Sequence, residues 1–213
     1  MAATDSTNNQ AKKAAFQTLT TKIFLTDHQT AGRGRGNNNW LDSCNEQLLS
    51  SWLFSLNQPP QPVLSPLVGL ALYNSLKKIF PQAMWSIKAP NDIYLNDKKI
   101  AGLLLETVAQ GNKFCLIVGL GLNVLSSPSD IENSIPLSWL SDFNQISWTD
   151  FLDCFYLSLS TQVQRNPSQI NAIQQQELLY ALNQWPQLSE KYLQVEVDGT
   201  LQSAKGKLPW SSL

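Results

Sequence analysis

The stretch "MWSIKAPNDIYLNDKKIAGLLLETVAQGNKFCLIVGLGLNV" (residues 84–124) decides the fold. Its apolar runs, "MWSIK" (84–88), "IYLNDKKIAGLLLE" (93–106) and "GNKFCLIVGLGLNV" (111–124), follow one another with only turn-length gaps. Pro90 pushes Ala89 to an extended conformation. Asn96-Asp97 suit a tight hairpin turn, and Gln110-Gly111 mark the next. Strands joined by turns this short are antiparallel, because a parallel pair needs a long crossover. The stretch therefore predicts an α+β fold, a mixed, largely antiparallel sheet with helices packed against it, and argues against a doubly wound dinucleotide-binding fold.

Outward from that core, "KIFLTDH" (22–28) and "EQLLSSWLFSL" (46–56) read as further strands. "DSTNNQAKKAAFQTL" (5–19) reads as a helix: Asp5, Ser6 or Thr7 can cap it, and Ala14, Ala15 and Leu19 give it a modest apolar face. After the proline-rich connector "NQPPQPVLSP" (57–66), Ser65 is placed to cap and Pro66 to open a helix over "LVGLALYNSLKKIF". Two more helices are expected at 149–165 and 168–185, followed by short strands turning at Asp198-Gly199. The expected division is a catalytic-size domain over 1–190 and a reduced C-terminal β segment over 191–213.

Composition narrows the classes of function. The net charge is −1, so there is no global attraction to nucleic acid, and a basic RNA-binding module is disfavoured. The three cysteines, Cys44, Cys115 and Cys154, are widely spaced, and with one histidine they do not make a zinc cage; they read as reduced thiols. The N-terminus lacks an apolar signal core, and the apolar runs fall short of the roughly 18–20 residues that span a bilayer. A cytoplasmic protein without membrane contact is expected.

Three segments carry polar groups that core packing does not explain. "HQTAGRGRGNNNWLDS" (28–43) sets Arg33 and Arg35 among glycines. Such a loop suits a phosphate, which arginine meets in bidentate geometry, though a mobile surface loop or an RNA-binding patch fits as well. It should stay mobile until an anion holds it. Trp40 suits either base stacking or the core. In the second segment, Lys88 ends a strand, Pro90-Asn91-Asp92 form a rigid turn, and Lys99 lies on the outgoing limb near Gly102; Lys98-Lys99 alone would be a solvated hairpin. In the third, Gly119 and Gly121 interrupt an apolar strand, which signals a bulge or close approach of backbone or ligand. Asn123 beside them needs partners if buried.

Taken together, "DSTN" (5–8), "QTAGRGR" (29–35) with Trp40, "KAPNDIYLNDKKIAG" (88–102) and "GLGLNV" (119–124) resemble, in order and spacing, the motifs of biotin protein ligases. These are also called biotin–[acetyl-CoA-carboxylase] ligases, and their catalytic domain is shared with lipoate ligases. The resemblance runs over roughly residues 5–195, and the K-x-P-N-D block is its most specific part. It implies an enzyme that uses ATP and Mg²⁺ to make biotinyl-5′-AMP and passes biotin to a lysine of biotin carboxyl carrier protein. It implies biotin contacts from Ser6, Thr7, Gln29, Arg33 and Gly102, and nucleotide contacts from Arg35, Trp40, Lys88 and Asn123. The catalytic set is Arg35, Lys88, Asp92 and Lys99. Asp92 is left between two roles, contact to Mg²⁺ and acceptance of the incoming lysine's proton. No confident metal ligand is implied otherwise.

No helix-turn-helix precedes the motifs, so a DNA-binding role is not expected, while an exposed sheet edge would allow a homodimer. Gly36-Asn37-Asn38-Asn39 stands where the family is richer in arginine and lysine, and Ala89 where it has an aromatic residue. The shared catalytic domain leaves a lipoate ligase-like acyltransferase as one alternative, and these departures suggest another, a degenerate, non-catalytic biotin- or adenylate-binding protein.

Overall fold

The computed structural model describes residues 1–17, 20–42, 45–128 and 133–213; Leu19 and Cys44 lie outside them. In chain order the elements are α1 (Thr7–Lys13), β1 (Lys22–Thr26), β2 (Gln47–Leu56), α2 (Leu64–Ile79), β3 (Trp85–Lys88), β4 (Asp92–Leu95), β5 (Lys98–Gln110) and β6 (Lys113–Asn123). They continue with α3 (Gln145–Arg165), α4 (Ala172–Asn183), β7 (Gln194–Val195), β8 (Leu201–Ser203) and β9 (Gly206–Leu208). The chain forms two compact units, Met1–Pro60 with Ile100–Trp139, and Gln61–Lys99 with Leu140–Leu213. The architecture is α+β, as the short turns require.

In the first unit the strands lie in the order β1–β2–β6–β5, antiparallel throughout. β5 turns into β6 through Gly111-Asn112, with Gln110 paired to Lys113 and Gly111 at φ +58°, a conformation that favours glycine. Register sets the face that matters. Gly119 lies beside Ser51 and Leu104, Gly121 beside Leu49 and Gly102, and Ile117 beside Leu53 and Glu106. Period-two alternation puts all nine on one face.

Helix α1 covers the end of that face around Ile117. Its Ala11 is buried with Leu53, Cys115 and Ile117, and Ala14, Ala15, Phe16, Phe24 and Val108 pack against this cluster. The helix is shorter than its apolar spacing predicts: it stops at Lys13, and Phe16 turns back at φ +66°. Burying Ala14–Phe16 against the sheet outweighs continuing the helix over residues of modest apolarity. On the sheet's opposite face Trp52, Phe54, Leu103, Val118, Leu120 and Leu122 are also buried.

In the second unit, β3 and β4 form a hairpin pairing Lys88 with Asp92 and Ser86 with Tyr94. Trp85, Ile87, Ile93 and Leu95 alternate to its other side and are buried. Helix α2 buries residues around most of its circumference, among them Leu67, Val68, Leu72 and Leu76. It begins at Leu64, with Val63 as N-cap and no side-chain cap. Ser65 and Pro66 thus sit inside the first turn rather than at its edge; proline is harmless there because that N–H has no intrahelical partner. Ser65 instead accepts a hydrogen bond from Trp210 Nε1 at 3.2 Å. Helix α3 starts four residues earlier than its apolar pattern predicts, because Asn144 and Ser147 close a capping box. Strands β7, β8 and β9 make a small antiparallel sheet turning at Gly199, φ +88°. Among the described residues no helix is long and apolar enough to cross a membrane.

Candidate active site

In the first unit, hydrogen bonds thread together four segments that are far apart in sequence. Thr7 opens α1, and its N–H and hydroxyl donate to Gln29 Oε1 at 2.9 and 3.2 Å. A helix's first N–H groups lack intrahelical partners, so Gln29 caps α1 from 22 residues away. Ser6 occupies the N-cap position, yet its buried side chain makes no capping bond. Ser51 Oγ on β2 lies 2.8 Å from Thr7 Oγ1 and also contacts Asn8 Oδ1, its one proton serving either. Asn8 Nδ2 donates to Glu106 Oε2 at 2.8 Å.

Glu106 on β5 is the hub. It accepts from Lys12 Nζ at 2.7 Å and from Arg33 Nη2 at 2.6 Å. Burial works to raise its carboxyl pKa, but the hydrogen bonds from Lys12 and Asn8 and the charges of Arg33 and Lys12 prevail and hold it below the ordinary value. On the rim of α1, Asp5 accepts from Asn9, Thr4 and Gln10, and its pKa is lowered by those bonds and the Ser6 N–H.

The glycine-arginine segment is folded back on itself. Gly34 N–H donates to Asn38 O at 2.7 Å and Trp40 N–H to Gly32 O at 3.0 Å, with Arg33 bridged to Asn39. Where the sequence shows only a glycine-rich loop, the structure folds it into a ribbon with Arg33 paired to Glu106 on the sheet. A half-buried carboxylate 73 residues further on is what the local reading lacks. A Cβ on Gly32 would collide with the Trp40 carbonyl oxygen, so only glycine lets the two limbs meet.

The sheet glycines are explained in the same way. A Cβ on Gly119 would lie 2.5 Å from Asn8 Oδ1, and one on Gly121 would lie inside the Trp40 indole, 2.6 Å from Cζ2. The close approach expected at these glycines is therefore by the protein's own Asn8 and Trp40. Beside the ribbon is a cleft of about 640 Å³ bordered by His28, Gln29, Gly32, Asn39, Trp40 and Asp42. Asp42 braces its wall, accepting from Gln29 N–H at 2.6 Å and meeting His28 Nδ1 at 2.8 Å.

In the second unit, Lys99 Nζ pairs with Asp92 Oδ1 at 2.7 Å. Lys88, opposite Asp92 in the hairpin, holds its Nζ 5.2 Å from the ring centre of Trp185 and 6.0 Å from that of Tyr94. These rings are 5.8 Å apart and tilted by 57°. Burial, with the charge of Asp92, raises the Tyr94 hydroxyl pKa.

The structure thus gathers Ser6, Thr7, Gln29, Arg33, Trp40 and Gly102 around one face of the first unit's sheet. Asn123, at the end of β6, is buried and accepts from Gln47 Nε2 at 2.6 Å, which supplies the partner it needs. Arg35 lies in the ribbon, where its carbonyl accepts from Asn38 N–H at 3.3 Å. Lys88, Asp92 and Lys99 come together in the second unit.

The sequence pattern of the biotin/lipoate A/B protein ligase family matches residues 1–123. The chain belongs to this family. It is similar to the bifunctional ligase/repressor BirA of Escherichia coli K12, 30% identical over 140 residues, covering 64% of this chain and 43% of that protein. It is 34% identical over 139 residues to the biotin–[acetyl-CoA-carboxylase] ligase of Mycobacterium tuberculosis, covering 62% of this chain and 51% of that one. The chain spans about half the length of these curated relatives. The fold is shared with the biotin protein ligase of Aquifex aeolicus solved with biotin and ATP: TM-score 0.69, 21% identity, 98% of this chain and 92% of that chain. It is shared too with the Leishmania major enzyme solved with biotinyl-5-AMP: TM-score 0.63, 19% identity, 97% and 96%.

In this member of the family, Asn8, Ser51, Asp42, Glu106 and Trp185 escaped the sequence reading. Glu106 left a signal, a lone carboxylate in the apolar run "LLLETV", as did Ser50-Ser51 within "LLSSWLF". Trp185 left none, since no motif marks it. Among the described residues no group of three or more His, Cys, Asp or Glu could hold a metal. Asp92, with one oxygen on Lys99, would offer Mg²⁺ a single carboxylate, too few protein ligands to hold the ion by itself.

Proposed function

We propose that this chain is an ATP-dependent biotin protein ligase that makes biotinyl-5′-AMP and transfers biotin to a lysine of biotin carboxyl carrier protein. The observation that carries the reading is the K-A-P-N-D…K-I-A-G stretch, in which Lys88 stands opposite Asp92 in the hairpin and Lys99 pairs with the Asp92 carboxylate. The names of the relatives and the ligands of the like-folded enzymes support it.

In the first step the biotin carboxylate attacks the α-phosphorus of ATP. A new P–O bond forms, the bond to the bridging oxygen breaks, and pyrophosphate leaves. Two anions must meet, so cations at the junction lower the barrier. Lys88 and Lys99 take that role, and Arg35 holds phosphate in bidentate fashion. Mg²⁺ would neutralise phosphate charge, with Asp92 as its protein ligand. Gln29 Oε1 is committed to Thr7, so its amide N–H groups face the task of binding the ureido carbonyl, with Ser6 and Thr7 beside it. Arg33's guanidinium is neutralised by Glu106, which leaves its main chain for the ligand. Gly102 keeps that wall of the pocket low, while Trp40 and Asn123 serve the nucleotide. In the second step the carrier's lysine amine attacks the acyl carbon, AMP departs with the electrons of the C–O bond, and the amine's proton passes to the Asp92 carboxylate or to water.

The test is incubation with ATP, Mg²⁺ and either biotin or lipoate, read by mass spectrometry for the acyl-adenylate, then with apo-carrier. Biotinyl-AMP and a carrier heavier by one biotinyl group are expected. Lipoyl-AMP alone would replace the reading with a lipoate ligase, and no adduct with either acid would overturn it in favour of a non-catalytic binding protein.

A further inference from the structure

The face of the β3–β4 hairpin that carries Lys88, Asp92 and Tyr94 meets a residue from a distant part of the sequence. Trp185 follows the C-cap of α4, and its N–H returns to Leu182 O at 3.3 Å. That turn puts the indole against Tyr94 and under Lys88 Nζ, at 5.2 Å. Tryptophan presents the most negative aromatic face, so it is the best ring for holding an ammonium. The indole Nε1 is buried without an acceptor. A ring chosen only to fill space would better lack that donor, which costs stability when buried unpaired.

We infer that Trp185 is a positioning residue for Lys88, holding its ammonium over the ring on the hairpin face that also bears Asp92, whose carboxylate pairs with Lys99. The inference rests on the proposed adenylation reading for what Lys88 does, but not for the holding itself. A strand-end lysine has four rotatable bonds and loses much rotamer freedom when fixed. A ring beneath it restricts that freedom before substrate arrives, which is where preorganisation helps a charge-stabilising group.

The experiment has two arms on the full chain: wild type, Trp185→Leu, which keeps apolar bulk without a ring, and Trp185→Phe, which keeps a weaker ring. The first arm is trace acetylation of lysines read by mass spectrometry and needs no activity. Relative to Lys205, whose side chain is 80% exposed, Lys88 labelling is expected to rise about three- to tenfold in Trp185→Leu and less in Trp185→Phe. The second arm is single-turnover formation of biotinyl-AMP. Here Trp185→Leu should slow the step about three- to thirtyfold with the KM for biotin unchanged, and Trp185→Phe should recover part of the rate.

Unchanged Lys88 labelling in Trp185→Leu, with thermal unfolding showing a folded variant, overturns the proposal. So does an active wild type whose rate is insensitive to the ring, or equal behaviour of the Leu and Phe variants, which would reduce Trp185 to packing. Should Trp185→Leu fail to fold, the Phe variant decides by the same two readouts. If wild type forms no biotinyl-AMP, the adenylation reading falls, while the labelling arm still decides whether Trp185 holds Lys88.

Discussion

Replacing Gly119 with alanine tests the interlock between α1 and the sheet. The new Cβ would lie 2.5 Å from Asn8 Oδ1, 3.1 Å from Cγ and 3.2 Å from Nδ2. Relief requires the amide to withdraw by most of an ångström. It has little freedom to do so, because Asn8 is buried, touches Ser51 and donates to Glu106 at 2.8 Å. If it stays, overpacking costs about 1–3 kcal/mol. If it swings out, a hydrogen bond to a carboxylate is lost, about 1.5–3 kcal/mol. Against either stands the smaller unfolded-state entropy of alanine, worth about 0.4–1 kcal/mol. The clash prevails, with a net loss of about 1–2 kcal/mol, or a drop of about 2–8 °C in Tm for a chain of this size. Thermal and urea unfolding by circular dichroism measure it. The double variant Asn8→Ala/Gly119→Ala removes the atoms in conflict, so its loss should be smaller than the sum of the single losses by about 0.5 kcal/mol or more. A Gly119→Ala protein as stable as wild type, or a strictly additive double variant, would refute the reasoning.

Three further outcomes are expected. The folded-state pKa of Glu106 lies below its unfolded value of 4.5, so its stabilising contribution is complete above that value and disappears as pH falls through the folded pKa; Glu106→Gln should be less stable at pH 7 and show a shallower acid decline in Tm, and an unchanged decline would count against the hub. Gln29→Ala leaves the first N–H of α1 without its acceptor and should cost about 0.5–2 kcal/mol in urea unfolding, with weaker biotin binding by calorimetry; equal stability would disprove the long-range cap. Lys99→Met removes a cation from beside Asp92 and should slow biotinyl-AMP formation by about 100-fold in single turnover, whereas a loss under threefold would exclude Lys99 from the charge-stabilising set.

What could be read in advance follows the range of the interactions involved. Strand alternation, the Asn96 turn and the Gly111 turn are local, and the chain shows them where the sequence places them. Asn96 takes φ +56° and Gly111 φ +58°. The glycines at 119 and 121 announced a close approach, but not that Asn8 and Trp40 make it. Asn8 comes from the far end of the chain, and its polar run reads as an ordinary helix start. Arg33 was legible as an unusual cation; its partner Glu106 was hidden in an apolar strand. The segment's tether was out of view because glycine content is local and the ion pair to Glu106 is not. The end of α1 was misplaced for a similar reason: packing of Phe16 against the Leu53–Ile117 cluster is tertiary. Lys88 and Asp92 stand out by motif, while Trp185 meets Lys88 through space alone.

The junction at Glu106 bears on any attempt to exchange parts between relatives. One carboxylate answers to a lysine and an asparagine of a helix and to an arginine of the ribbon. A donor segment 32–40 from another member could be transplanted only with a guanidinium at the site of Arg33. Without it, the recipient strand would present an anion facing only part of its counter-charge, and the grafted piece would have no anchor point.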